Sequence, residues 1–249
     1  MNLTLLKSGK ENAGANRTVQ YCRNLVQWIV LALLVAGLYT QVIRAHTLVV
    51  LVLALLAGNF FCGWLCPYGT VQELCGKIGS LFLKRKLKMP PSLQRYLQFS
   101  RYALMLILLA LGAQAAAVAA PINAYRSFMS LAGGKTLEMT AFTIMASFLV
   151  IGLFFERPFC NYVCSEGIRF GIASLTRLFT IKRNAAACVN CQRCSQACPM
   201  NIQVSAGKSV RNAQCINCFR CVAACPVQGT LSYGLVNFPR KKDSPHPPA

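Results

Sequence analysis

Two cysteine-rich segments, CVNCQRCSQACP and CINCFRCVAACP, repeat the spacing C-x2-C-x2-C-x3-C-P between residues 188 and 226. This spacing is typical of bacterial ferredoxins that hold two 4Fe–4S clusters, and in them the fourth cysteine of each segment binds the cluster of the other segment. It predicts one cluster bound by Cys188, Cys191, Cys194 and Cys225, and a second bound by Cys215, Cys218, Cys221 and Cys198. The alternative is a zinc site or a disulfide scaffold, but zinc ligands come as two separated pairs, which leaves the middle thiolate of each triplet without a role.

A second cysteine pattern, C-x3-C, occurs at Cys62 with Cys66 and again at Cys160 with Cys164. Glycine follows each pair at the matching position, so the pattern indicates an internal repeat. Residues four apart share one face of a helix, and we expect each pair at the end of a helix. The four thiols have three interpretations: a further metal or cluster site, redox-active disulfides, or bracing of helix ends.

Four long apolar stretches must position these cysteines. They span residues 24–43, 47–66, 102–120 and 137–155, each close to the ~20 residues that cross a bilayer as a helix. We therefore predict an α-helical membrane protein of four transmembrane helices with a small α+β ferredoxin domain. Its predicted segments are a flexible basic leader (1–23), the membrane domain (24–183), the ferredoxin domain (184–235) and a disordered tail (236–249).

The charge balance orients this arrangement. The chain has 26 Lys and Arg against 6 Asp and Glu, which suits either a nucleic-acid surface or the cytoplasmic side of a membrane protein. All but three of the cations fall in segments on one side of the predicted membrane; the exceptions are Arg44, Arg126 and Lys135 in the opposite loops. Both termini and the ferredoxin domain should thus be cytoplasmic, and no nucleic-acid partner is required. The 14 cysteines suit that reducing compartment.

The segment CGWLCPYGTVQE at the end of the second stretch, combined with the ferredoxin motif, resembles the polyferredoxin membrane proteins typified by NapH, and also NosR and CcoG. The chain departs from that family at Ser165, where the second motif is expected to have proline, and it lacks the outer flavin-binding domain of NosR. The resemblance implies a bacterial inner-membrane electron-transfer subunit, commonly a quinol dehydrogenase component feeding an extracytoplasmic reductase. Its implied partners are the quinone pool and further subunits that carry haem, flavin or iron–sulfur clusters.

Few residues outside the cysteine motifs can move a proton from a quinol. His46, predicted in a short outer loop, is one candidate proton acceptor or an ordinary loop residue. Four carboxylates have the same two interpretations, with a structural role favoured: Glu73, Glu138, Glu156 and Glu166. Cys22 and Cys75 are interpreted as structural thiols, with a redox role as the alternative for Cys75.

The stretches that follow the two C-x3-C motifs are amphipathic and should lie along the membrane interface, with Lys77, the basic run 84–88, Arg177 and Arg183 toward phosphates. The predicted function is electron relay between the quinone pool, or a cytoplasmic donor, and a membrane or periplasmic oxidoreductase. One alternative is an assembly factor that reduces a metal or cofactor for a partner enzyme. Another is a non-redox role in which the clusters anchor a cytoplasmic partner.

Overall fold

A computed structural model of the chain describes residues 3–82, 87–112 and 122–236, with side chains from residue 17 onward except 40–47 and 91. Three predictions therefore lie outside the described residues. They concern the side chain of His46, the basic run 84–86 and the tail beyond Val236.

The chain begins with two long helices, α1 (Leu3–Val35) and α2 (Tyr39–Ala57). The turn between them contains Gly37, whose φ of 74° is the left-handed conformation that glycine adopts readily. The predicted loop at Arg44–His46 is wrong, because these residues lie within α2. The predicted flexible leader is also wrong, since α1 runs continuously from Leu3. Apolar residues on both sides of Gly37 conceal this turn in the sequence.

The first C-x3-C motif does not lie on a continuous helix, contrary to the prediction. α2 ends at Ala57, a π-helical turn spans Phe61–Leu65, and α3 (Pro67–Phe82) starts after the extended residue Cys66. Proline favours the first turn of a helix, where its missing N–H costs nothing, so Pro67 starts a new helix rather than ending the old one.

The second half of the chain repeats this break. The helices that precede it are α4 (Pro91–Leu97), α5 (Ser100–Ala110), α6 (Ala124–Ala132) and α7 (Met139–Phe154). Cys160 then lies in the short helix α8 (Pro158–Tyr162), and Cys164 caps α9 (Ser165–Ala173). Arg157, with a φ of 53°, redirects the chain between α7 and α8.

Within the described ranges, one helical segment, Arg17–Val35, is long and apolar enough to cross a bilayer. Leu48–Ala57 and Met139–Phe154 are also apolar helices but are shorter. The last of these agrees closely with the fourth predicted stretch. The third predicted stretch forms a helix only over Ser100–Ala110 in its described part.

The segment 121–136 was predicted on the membrane side opposite the C-x3-C motifs, and this prediction is wrong. Its helix α6 places Phe128 against Tyr68, with ring centroids 5.4 Å apart. Asn123 Nδ2 donates a hydrogen bond of 3.1 Å to Ser165 Oγ. A bilayer core is about 30 Å thick, so residues in such contact lie on the same side. The buried Ala124 and Ser127 show that α6 packs as an amphipathic helix rather than forming the predicted outer loop.

The cysteine-rich part is a small α+β unit, as predicted. Strand β1 (Phe179–Arg183) pairs antiparallel with β2 (Leu231–Leu235), and Ile181 lies opposite Tyr233. Two short helices, α10 (Arg193–Gln196) and α11 (Arg220–Ala224), each contain the third cysteine of a triplet. In the sequence, all eight ferredoxin cysteines lie between the two strands. β1 ends just before residue 184, which is the predicted start of the ferredoxin domain.

Candidate metal centres

Left-handed backbone residues shape both cysteine loops in the same way. Asn190 and Gln192 in the first loop have φ values of 52° and 60°, and Asn217 and Phe219 in the second have 47° and 57°. Asparagine tolerates this conformation well, whereas Phe219 adopts it only because the surrounding loop holds it there. Each pair lies inside its cysteine triplet and bends the chain at two positions. The second residue of each pair is the N-cap of the short helix that follows.

The structure brings the eight cysteines together in the two sets that the spacing predicts. One cavity is lined by Cys188, Cys191, Cys194 and Cys225. The other is lined by Cys215, Cys218, Cys221 and Cys198. In each set, three thiols come from one segment and the fourth from the other.

The two cavities differ in their access to solvent. All four cysteines of the second set are buried, whereas Cys191 in the first set is exposed. Burial raises the pKa of Cys198 to about 12, while the backbone N–H of Asn190 lowers the pKa of Cys188. A buried thiolate in the second set thus needs a nearby positive charge, which bound iron supplies.

The donor set fits 4Fe–4S clusters. Each cavity offers four sulfur ligands, and the rest of the second cavity is apolar, including Ile181, Ile202 and Val210. Among the residues that the structure describes, no group of three or more His, Cys, Asp or Glu side chains is close enough to hold a single metal ion. A cubane spans thiols that are spaced more widely than the ligands of a single ion, because each thiolate binds a different iron.

The second cysteine loop is docked directly on the helical part. Gln20 Nε2 of α1 donates to the carbonyl of Cys218 at 2.8 Å, and Trp64 Nε1 donates to the carbonyl of Asn217 at 3.0 Å. At Gly63, an added Cβ would lie 2.1 Å from the carbonyl oxygen of Ile216. Only glycine permits this approach of the two backbones, so the sequence is fitted to the contact.

Four aromatic rings seal the same contact: Phe60, Trp64, Phe219 and Tyr233. Phe219 lies between two ligand cysteines of the second loop, and its ring centroid is 5.3 Å from that of Tyr233. The Tyr233 hydroxyl donates to the carbonyl of Ala57 at 2.6 Å. The second cluster site is therefore packed against the end of α2 rather than tethered by a linker.

Glu73 is the centre of a buried ion cluster that joins three parts of the chain. Its carboxylate accepts hydrogen bonds from Arg157 at 2.8 Å, from Arg220 at 2.9 Å and from Arg23. Arg220 also pairs with Glu156 at 3.1 Å. Burial by itself would raise the pKa of Glu73, but the three guanidinium groups outweigh it and hold the pKa well below its usual range.

Sequence reasoning missed this cluster. It treats Glu73 and Glu156 as separate candidates, whereas Arg220 binds both carboxylates. Arg177, predicted to face lipid phosphates, is instead buried and donates to the carbonyl of Val210 and to Thr180 Oγ1. The one signal in the sequence is the scarcity of carboxylates, because few other partners exist for a buried arginine.

The C-x3-C cysteines start helices in the same way in both repeats. Cys66 Sγ accepts a hydrogen bond from Gly69 N–H, and Cys164 Sγ accepts one from Gly167 N–H, each at 3.4 Å. The structure places none of the 14 cysteines in a disulfide. These contacts match the bracing interpretation, while a further metal or cluster at Cys62, Cys66, Cys160 and Cys164 stays a prediction.

Replacing Cys164 distinguishes these interpretations. Cys164→Ala removes the cap of α9 and should cost about 1 kcal/mol of stability, whereas Cys164→Ser offers an oxygen acceptor and should restore most of it. The midpoint of thermal unfolding measures both, with Cys22→Ser as the exposed control. Equal damage by Ser and Ala, together with loss of iron, would instead mean that this thiol binds metal.

The remaining predicted candidates have local structural surroundings. Glu138 occupies the N-cap position of α7 without a side-chain capping hydrogen bond, and Glu166 pairs with the exposed Arg169 at 3.1 Å. Cys75 is half-buried against Gly152 of α7, in keeping with a structural thiol. Cys22 is exposed on α1.

Comparison with protein families assigns both cysteine patterns to iron–sulfur proteins. The model described as "4Fe-4S binding domain" matches residues 41–90 and 137–181, which contain the two C-x3-C motifs. The model described as "4Fe-4S dicluster domain" matches residues 180–226, which contain the eight ferredoxin cysteines.

Several curated proteins are similar to this chain. It is 32% identical to the "Putative electron transport protein YccM" of Escherichia coli over 74% of the chain and 54% of that protein. It is also 32% identical to the "Uncharacterized protein MJ0750" of Methanocaldococcus jannaschii over 65% of the chain and 67% of that protein. The "Regulatory protein NosR" of Pseudomonas aeruginosa is 29% identical over 55% of the chain, but the match covers only 20% of NosR.

The chain spans about half of YccM and a fifth of NosR, and no solved structure matches it. Matches also include NirI of Paracoccus denitrificans and the "Ferredoxin-type protein NapH" of Haemophilus influenzae. With the two 4Fe–4S family models, these relatives show that the chain belongs to the polyferredoxin-type membrane proteins that include NosR, NirI and NapH.

Proposed function

We propose that this protein is the membrane-bound subunit that relays single electrons between the quinone pool, or a cytoplasmic donor, and a membrane or periplasmic oxidoreductase. The observation that carries the proposal is the pair of four-cysteine cavities, one exposed and one buried against the helical part. Bound 4Fe–4S clusters supply one-electron chemistry at both places. The chain orders the two sites from solvent to membrane anchor, as a relay requires.

The helical part presents many apolar side chains that a bilayer would cover. Trp28 and Ile29 on α1, Leu48 on α2 and Leu106 on α5 are all at least half exposed. Soluble proteins rarely leave so many large apolar side chains uncovered. With the Lys and Arg excess, this supports a multi-pass anchor in the bacterial inner membrane, with the cysteine-rich unit on its cytoplasmic side.

A cavity beside the second cysteine loop is suited to a quinone. It has a volume of about 400 Å³ and lies between Val19 of α1 and the side chains of Phe219, Leu231 and Tyr233. Ligand cavities of this size and apolar lining are common binding sites for small organic molecules. A quinone bound there would adjoin the loop of the buried cluster site, which favours electron exchange at that end of the relay.

The relay needs a partner on the far side of the membrane. The bilayer core is about 30 Å thick, and the two cluster sites occupy one side of it. An acceptor in the periplasm is therefore reached only through a further subunit that carries haem, flavin or iron–sulfur groups.

The test is anaerobic reduction of the purified, cluster-loaded protein by a menaquinol analogue, followed by cluster absorbance and by electron paramagnetic resonance. We expect quinol to lower the cluster absorbance, and the decrease should be a sizeable fraction of the decrease that dithionite produces. Reduction by dithionite but not by quinol would remove the quinone route and leave the cytoplasmic donor. If the protein instead reduces a metal ion such as Cu²⁺ while ignoring quinone, the assembly-factor alternative gains support.

A further inference from the structure

The cysteine-rich unit has a charge of one sign only. No Asp or Glu occurs between Gly167 and Lys242, although that segment contains 11 Lys and Arg. Two of these cations have internal roles, because Arg177 is buried and Arg220 is bound to Glu73 and Glu156. Among the others, Arg183 and Arg193 lie within the described cysteine-rich unit, and residues 168–242 contain no carboxylate of their own to offset the positive potential of these side chains.

The strongest feature of this surface is the opening of the first cysteine cavity. Val189, which lines that cavity, is 64% exposed, and its neighbour across the loop, Cys191, is exposed as well. Arg183 lines the same cavity, and its Nη1 lies 3.6 Å from Cys188 Sγ. Arg193 is exposed between the second and third cysteines of the triplet. We name Arg183, Val189, Cys191 and Arg193 the first-cluster face.

The first-cluster face has the layout of a transient electron-transfer interface. It has a small apolar centre at a redox site and cations at the rim, and such encounters bury little surface and depend on charge for their rate. The second cysteine set cannot serve this purpose, because it is buried against α1 and the π-helical turn. A soluble partner therefore has access to the first set alone.

From these observations we infer that the first-cluster face docks an acidic one-electron carrier protein of the ferredoxin or flavodoxin class. This inference rests on the proposed function and names its soluble partner. A cluster held by the first cysteine set would accept the one electron that the reduced carrier gives up, with no proton or bond transferred. Carboxylates around the carrier's own redox centre match Arg183 and Arg193, and Val189 fills the apolar centre of the contact.

The test measures binding rather than turnover. The full-length, cluster-loaded protein is placed in nanodiscs of neutral lipid, and the dissociation constant for an acidic bacterial 4Fe–4S ferredoxin is measured at about 0.05 M and about 0.5 M salt. Salt at the higher concentration shortens the range of charge interactions to a few ångströms, so binding should weaken strongly. Arg193→Glu should raise the dissociation constant at low salt about tenfold, because it places like charges in contact.

Arg169→Glu is the matched control. It makes the same change of charge at an exposed arginine on α9, outside the first-cluster face, and should change the dissociation constant less than twofold. Val189→Asp should weaken binding by at least as much as Arg193→Glu. Both face variants must keep the iron content and the dithionite-reduced paramagnetic signal of the unaltered protein, which shows that they still fold and hold clusters.

Three results would overturn the inference. The first is that the protein does not bind ferredoxin, and the second is that Arg193→Glu and Arg169→Glu weaken binding equally. The third is that Arg193→Glu still binds ferredoxin but no longer binds vesicles of anionic phosphatidylglycerol. The last would assign the face to the lipid surface. Clusters that dithionite fails to reduce would instead contradict the proposed function itself, so the two failures are distinguishable.

Discussion

Replacing Cys225 with serine is expected to disrupt the first cluster and to leave the second intact, although Cys225 lies in the second cysteine segment. The reason is that Cys225 lines the cavity of Cys188, Cys191 and Cys194. Cys198→Ser should do the reverse, since Cys198 lines the cavity formed by the second triplet. Each variant should lose up to half of the roughly eight irons that two 4Fe–4S clusters contain.

The measurement combines iron analysis with the paramagnetic resonance of the dithionite-reduced protein. The unaltered protein should show two reduced clusters close enough to broaden each other's signal, and each variant should show one unbroadened cluster. The surviving clusters should differ: the Cys198→Ser variant keeps the exposed first site, which a soluble oxidant reaches quickly, and the Cys225→Ser variant keeps the buried second site. Cys22→Ser, at an exposed thiol of α1, is the control. If each substitution destroyed the cluster of its own segment, the cross-ligation would be wrong.

Glu73→Gln is expected to have the largest effect on stability of any single change outside the cluster ligands. The glutamine keeps the size of the side chain but removes the negative charge that Arg23, Arg157 and Arg220 share. Removing one partner of a buried ion cluster leaves uncompensated buried charge and typically costs 3–5 kcal/mol, about ten times the value of an exposed pair. Because Arg23 comes from α1 and Arg220 from α11, the variant should loosen the cysteine-rich unit from the helical part.

The matched control is Glu166→Gln, which breaks the more exposed pair with Arg169 and should cost at most about 0.5 kcal/mol. Thermal loss of cluster absorbance measures both variants, and limited proteolysis between α9 and β1 reports loosening of the unit. A Glu73→Gln variant as stable as Glu166→Gln would mean that the cluster of charges contributes little.

The same charges fix how stability depends on pH. The pKa of Glu73 is lower in the folded protein than in the unfolded chain, so its contribution is complete above the ordinary glutamate pKa of about 4.5. It is lost as the pH falls from there through the lower folded pKa. Between pH 5 and 8 the Glu73 cluster should thus add no pH dependence, and the difference in stability between the protein and Glu73→Gln should stay constant.

Spacing along the chain predicts those features of this protein that are local. The two cysteine triplets predict their loops, because three thiols at fixed short intervals surround one cavity once two residues adopt left-handed conformations. The α+β character of the unit and the apolar helix Met139–Phe154 also follow from local pattern. The C-x3-C repeat is visible for the same reason, with equivalent hydrogen bonds at Gly69 and Gly167.

Features that depend on contacts between distant segments are not visible in the sequence. The partners of Glu73 come from three separate parts of the chain, and no spacing rule joins them. The position of α6 between two long apolar stretches predicts an outer loop, whereas packing of Phe128 on Tyr68 decides where it lies. The turn at Gly37 is concealed because apolar residues flank it on both sides, so hydropathy alone places the hairpin too late in the chain.

We expect this chain to hold two one-electron sites of different exposure at a membrane anchor. The decisive test is a redox titration of the anaerobically purified protein, followed by paramagnetic resonance. The predicted result is about eight irons and eight acid-labile sulfides per chain and two one-electron reductions with mutually broadened signals. Adding an impermeant oxidant to the reduced protein should then oxidise the exposed site first. A chain with bound zinc and no labile sulfide, or with one cluster only, would contradict the claim.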